Sequence, residues 1–234
     1  MDWEITQDRF IAFFDILGFK DFIYRNSHDV VLEKMKYLPI ILSDIEEDAH
    51  NKLDKNDCEG IIRPVVFSDS IMLISNDKSI IDLLNLLKCC YWILKNSIQI
   101  NIPIKGAISS GILTADFNKS LFFGRPLVDA YLLQESMIYY GCIMDNNVED
   151  FFKKNITGSP QKWLIQYRTP FKTASVNHYN LNWLEIHIEC NSNTNLLVEN
   201  KEKEILNFYK TVSGPTRLYV DHTIEFFEFC KKHH

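Results

Sequence analysis

The chain has 234 residues, 46% of them hydrophobic and 24% charged, a balance that excludes a disordered, collagen-like or fibrous protein. Lysine and arginine total 25 against 31 acidic residues, so the net charge is −6 and the basic excess that marks a duplex nucleic-acid binder is absent. The length suits one enlarged domain with a sizeable core.

In chain order, Met1-Asp2-Trp3-Glu4 lacks a basic or apolar leader, so the expectation is a cytoplasmic chain without a signal peptide. Arg9 to Phe14 is a short aromatic and apolar run of the kind that forms a buried strand, and it leads into Asp15-Ile16-Leu17-Gly18-Phe19. Asp21 to Ala49 reads as helical, with a break at Pro39. Asn51 to Gly60 reads as a polar loop. Ile61 to Phe67 and Ile71 to Ser75 are β-branched runs around Ser68-Asp69-Ser70, which predicts a hairpin with Asp69 at its tip. Ser79 to Asn96 follows as a helix. Its apolar stretch, Ile80 to Leu94, is interrupted by Asp82, Asn85 and Lys88, so it is a mostly buried helix with one wet stripe and no membrane span.

Ile104 to Leu113 predicts a core strand, and Pro126 suits the first turn of a helix over Leu127 to Ile138. Gly141 to Met144 reads as a short strand and Asn146 to Lys154 as a helix. Beyond Ser159-Pro160, strands are expected at Trp163 to Tyr167 and Trp183 to Glu189, and helices at Glu202 to Thr211 and Thr216 to Cys230. The order β-α-β-β-α-β predicts an α+β, ferredoxin-like antiparallel sheet. Residues 1–160 form the core and 161–234 a C-terminal α/β extension packed on it. The cysteines at 58, 89, 90, 142, 190 and 230 contain no C-x-x-C pair and read as reduced, buried thiols.

Two carboxylates stand out by position. Asp15 closes a buried strand before a glycine-containing turn, and Asp69 tips a hairpin between apolar strands. In a ferredoxin-like sheet these strand ends are neighbours. Two carboxylates placed side by side near apolar strands are costly unless a cation lies between them. A hard divalent ion, Mg²⁺ or Mn²⁺, takes oxygen ligands and keeps positions open for phosphate. The carbonyl of Ile16 is a further candidate ligand, and the amides of Leu17, Gly18 and Phe19 are candidates for phosphate oxygens. For either aspartate alone the alternative is a turn or N-cap residue. His178 and His187 have no partner spacing and read as structural. Neither G-x-S-x-G nor G-x-x-x-x-G-K-[ST] occurs.

Phe14-Asp15-Ile16-Leu17-Gly18-Phe19 resembles the F-x-D-I-x-G-F type motif of class III nucleotide cyclases, and Phe67-Ser68-Asp69-Ser70 falls where that family carries its second metal-binding aspartate. Ile102 to Gly111 is similar to the next core strand, and Phe123-Gly124-Arg125-Pro126-Leu127-Val128-Asp129-Ala130-Tyr131, running on to Gln134-Glu135-Ser136, to the helix that follows. The resemblance covers about residues 9–145. It departs in three slots: the purine-reading Lys or Glu is Val65, and the interface helix's Asn and Arg are Val128 and Leu132. With both metal aspartates kept, the pattern looks most like the bacterial pyrimidine cyclases of Pycsar anti-phage defence.

That resemblance implies two Mn²⁺ or Mg²⁺ ions per site held by Asp15, Ile16 and Asp69, with Val65 in the base-reading slot and Arg125 and Lys105 as candidate cations for the transition state. It implies UTP as preferred substrate and CTP as the alternative, a homodimer with interface active sites, and a separate cyclic-nucleotide-responsive effector. A cyclase fold reduced to nucleotide sensing is a rival. So is a polymerase-palm or diguanylate-cyclase relative, although Ser68-Asp69-Ser70 lacks the acidic pair or Gly-Gly-acidic turn usual there.

Overall fold

The structure is a computed structural model that describes residues 3–54, 61–156, 164–183, 203–210 and 212–233. Its centre is β1 (Thr6–Ile16), paired antiparallel with β3 (Ser70–Ser75) on one side and β4 (Ile104–Asp116) on the other. β2 (Ile62–Phe67) closes the hairpin with β3. The path runs β2-β3-β1-β4-β6-β8-β7, where β6 is Cys142–Met144, β7 Leu164–Pro170 and β8 Ser175–Leu181; β5 (Leu121–Phe123) pairs with β4 off this path. β4 and β6 are parallel, and the other pairings in the sheet are antiparallel.

Strand parity explains the unbroken apolar run in β1. Phe10, Ala12, Phe14 and Ile16 enter the main core, while Ile11 enters a second, smaller cluster on the opposite face with Ile74, Leu113 and Ala115. The main core is closed by α3 (Tyr37–Asp54), through Leu38, Ile41, Leu42 and Ile45, and by α4 (Ile80–Gln99), through Leu83, Leu86, Leu87, Cys90 and Leu94. Each such side chain, fully buried, is worth about 1.5–3 kcal/mol over exposure. α5 (Arg125–Ser136) covers the other face, where Tyr131 meets Phe13 edge-on with ring centroids 5.5 Å apart.

The helical region after Gly18 is three helices, α1 (Phe19–Arg25), α2 (His28–Met35) and α3. The break falls at Lys36, and Pro39 sits in the first turn of α3, where a missing N–H costs no intrahelical bond. Asn51 to Asp54 continue α3, against the expected loop, whereas 55–60 lie outside the described residues.

The C-terminal segment adds to the same sheet: β8 pairs with β6, and β7 with β8. β8 is not among the expected strands, and it carries the polar Asn177, His178 and Asn180. The fold satisfies two of them. Asn180 meets Tyr139, Thr169 and the His178 carbonyl, and His178 Nδ1 lies 3.0 Å from Glu149 Oε1 and 3.1 Å from the Met144 carbonyl. Trp183, expected to open a strand, is fully buried in a turn after β8, and 184–189, with His187, lie outside the described residues. α6 (Asn146–Asn155) follows β6, and α7 (Arg217–Lys232) is the last described helix. No helix among the described residues is long and apolar enough to cross a membrane.

Candidate active site

The two aspartates expected to converge do so. Asp15 is the penultimate residue of β1, paired in register with Ser70 on one side and Lys105 on the other. The hairpin turn is Ser68-Asp69, closed by the Phe67–Ser70 pair. It is fastened to β1 by the Ile16 N–H, which donates to the Asp69 carbonyl at 3.0 Å. Ser68 adopts a left-handed φ of 56°, a conformation that side chains rarely take outside turns and functional sites.

The electrostatics record the crowding. Burial first, and then the negative charge of Asp69, push the Asp15 carboxyl up to about 6; Lys105 pulls it down and Glu135 adds to the rise. Among the described residues no cluster of three or more His, Cys, Asp or Glu side chains has metal-binding geometry. The donor set is therefore two carboxylates, with backbone carbonyl oxygen beside them. It fits a hard divalent ion that completes its shell with water or phosphate, and it does not fit a closed structural site.

Lys105 lies next to Asp15 and is 3% exposed. Its Nζ donates to the carbonyls of Glu135 at 3.1 Å and Met137 at 3.0 Å, at the C-terminal end of α5. A cation there satisfies helix-end carbonyls and complements the helix dipole. Burial lowers its pKa to about 8, against the favourable field of Asp15. Glu135 in turn bonds Lys172 at 2.8 Å on the turn between β7 and β8.

Gly18 is the N-cap of α1, with φ 71°, which lets the chain turn from β1 into the helix. Of the three amides expected to face phosphate, that of Leu17 is engaged, donating to the Pro103 carbonyl at 2.9 Å. Those of Gly18 and Phe19 precede the first intrahelical bond, from Phe22 to Gly18. Val65 is half-buried on the Asp15 face of the hairpin, opposite Met72 and packed with the second cluster.

Arg125 is not brought to Asp15. It begins α5, whose Pro126 packs on Gly111, well along β4 from Lys105. Gly111 is six positions along β4 from Lys105, a distance of roughly 20 Å. The Arg125 side chain is 89% exposed and pairs with Asp129 at 3.2 Å. Periodicity alone does not show which end of a helix meets which end of a strand. Glu135, in the quoted helix stretch but given no role there, lies in the electrostatic surroundings of Asp15 and Lys105; so do Lys172 and Tyr219, which carry no motif that would have singled them out.

No protein-family model and no curated protein sequence matches the chain. Solved structures do. The dimeric guanylyl cyclase domain of the RhoGC fusion protein from the aquatic fungus Blastocladiella emersonii aligns with a TM-score of 0.54 at 13% identity, covering 76% of this chain and 97% of that one. The catalytic core of a rhodopsin-guanylyl cyclase with converted specificity, in complex with ATPαS, gives 0.53 at 12% identity over 76% and 98%. An adenylate/guanylate cyclase/hydrolase from Silicibacter pomeroyi gives 0.50 at 14% identity over 75% and 96%. With its mixed, mostly antiparallel sheet, the chain has the α+β fold of class III nucleotidyl cyclase domains.

Proposed function

We propose that the protein is a metal-dependent pyrimidine nucleotide cyclase that converts UTP to cyclic UMP and diphosphate, with CTP as the alternative substrate. The observation that carries this reading is the placement of Asp15 beside Asp69 at one end of the β1–β3 pair, with the Asp15 carboxyl pushed up to about 6. A pair so costly in isolation makes sense where a cation is bound.

Asp15, Asp69 and the Ile16 carbonyl would hold two Mg²⁺ or Mn²⁺ ions, which when bound supply charge neutralisation and an acidified ribose 3′-hydroxyl. The 3′-oxygen attacks the α-phosphorus in line, its proton leaves to solvent, and the bond to the β-phosphate oxygen breaks to release diphosphate. Gly18 and Phe19 offer backbone N–H groups to phosphate oxygens at the start of α1. Lys105, charged at neutral pH and aligned by two carbonyls, offsets charge that develops on the phosphates; a donor so placed is worth about 2.7–4 kcal/mol in the transition state. Val65 offers no hydrogen-bonding group in the slot where purine cyclases read the base, which favours a pyrimidine.

Val128, Tyr131 and Leu132 form an exposed apolar stripe on α5, and Phe67, 78% exposed, stands at the hairpin tip of the same sheet face. Together they favour a homodimer across this face. In that arrangement Arg125 would serve the partner's site rather than its own. The product would act as a second messenger on a separate effector in anti-phage defence.

Incubation with each of the four nucleoside triphosphates and Mn²⁺, scored by diphosphate release and mass of the cyclic product, tests the reading. Release from UTP or CTP alone is expected, and Asp69→Ala should abolish it while the protein stays folded. Turnover of a purine triphosphate would overturn the pyrimidine assignment. Binding without turnover would favour the sensor, a reading to which the apolar Val128 and Leu132 also lend themselves.

A further inference from the structure

The C-terminal helix α7 reaches the Asp15 site from a side that none of the core motifs occupies. Tyr219, in its first turn, is half-buried, and the Lys105 ammonium lies 5.5 Å from its ring centroid. The ring also stacks on Tyr140, with centroids 6.2 Å apart and planes 20° from parallel. Lys172, Asp15 and Glu135 are all close enough to act on the phenol's charge. α7 is pinned here at two further points. Thr223 Oγ1 accepts the Tyr140 N–H at 2.8 Å, and His222 Nδ1 lies 3.0 Å from the Ile138 carbonyl. Both contacts fall on the segment that follows α5, whose Glu135 and Met137 carbonyls hold Lys105.

An ammonium has three N–H donors. Two of those of Lys105 are committed to carbonyls, which leaves one for a ligand. We propose that Tyr219 is a positioning residue for the phosphate-binding end of the site: its ring face confines the Lys105 ammonium so that the third N–H is available to a nucleoside triphosphate. This inference rests on the cyclase reading and deepens it, because it makes the C-terminal helix part of the nucleotide site. The attraction of an ammonium to an aromatic face belongs to the ring, not to the hydroxyl. Phenylalanine should therefore replace tyrosine, and an aliphatic residue should not.

The test is calorimetric binding of 3′-deoxynucleoside triphosphates of all four bases, which lack the attacking hydroxyl, to the full chain with Mg²⁺. Relative to wild type, Tyr219→Leu should weaken triphosphate affinity about ten-fold and Tyr219→Phe no more than about two-fold. Affinity for the matching nucleoside monophosphate should hold in both. Tyr219→Met, which keeps bulk without a ring, serves if Tyr219→Leu folds poorly. Phe229→Leu, on the same helix, removes the ring contact with Tyr167 and should leave triphosphate affinity unchanged. Wild-type affinity in Tyr219→Leu, or equal losses in Tyr219→Leu and Phe229→Leu, would overturn the positioning role alone. A wild-type chain that binds none of the four triphosphates would overturn the cyclase reading, and this role with it.

Discussion

At Asp15 stability and function pull in opposite directions. Its carboxyl rises from an ordinary 3.8 to about 6, so the folded chain binds this proton more tightly than the unfolded chain does. Its contribution to stability is therefore most favourable below about pH 4 and declines as pH rises through about 6. Asp15→Asn should raise stability near neutral pH, by on the order of 1 kcal/mol after solvent screening, and change it little near pH 4. Mn²⁺ should stabilise the wild type at neutral pH and leave Asp15→Asn unmoved. Melting curves at the two pH values, with and without the ion, check both statements. A variant no more stable than wild type at neutral pH would show that the crowding of Asp15 and Asp69 carries no cost.

At the level of elements, two local arrangements hold the site's frame. Ser79 is the N-cap of α4: its side chain accepts the Asp82 N–H at 3.1 Å, while Asp82 accepts the Asp77 N–H at 2.6 Å. Ser79→Ala should cost about 1 kcal/mol in a denaturant titration. Gly106 stands opposite Phe14 in the β1–β4 register, and a Cβ there would lie 2.3 Å from the Phe14 ring. Gly106→Ala should therefore destabilise by about 1–3 kcal/mol through overpacking, and Phe14→Leu in that background should recover part of the loss. The hairpin and the apolar strands were legible because each depends on residues close in sequence. β8 was not, since its polar residues become acceptable in a strand only when Thr169, Glu149 and Tyr139 arrive from elsewhere.

At the scale of the whole molecule, α5 lies over the sheet face that carries Asp15 and turns an apolar outer side to solvent. Val128 and Leu132, each 53% exposed, sit one turn apart on α5. If the homodimer proposed above forms there, Val128→Glu with Leu132→Glu should yield a folded monomer in sedimentation and abolish turnover. A dimer that persists would place the contact elsewhere. The C-terminal segment belongs to the same scale: β8 extends the sheet from β6, and α7 then lies against the turn that holds Lys105. Nothing in the spacing of residues 203–233 announces that placement.

The order of the core strands and helices up to Met144, the hairpin and the two aspartates could be read from the linear chain, because alternation, turn chemistry and strand ends are local properties. Folding in three dimensions decided the rest. It placed Arg125 well along β4 from Asp15, used the Leu17 amide on Pro103, and tied Lys105 to the end of α5 beside Tyr219. Charge and hydrogen-bond partners drawn from distant segments have no period in the sequence, so only the packed sheet reveals which of them share a site.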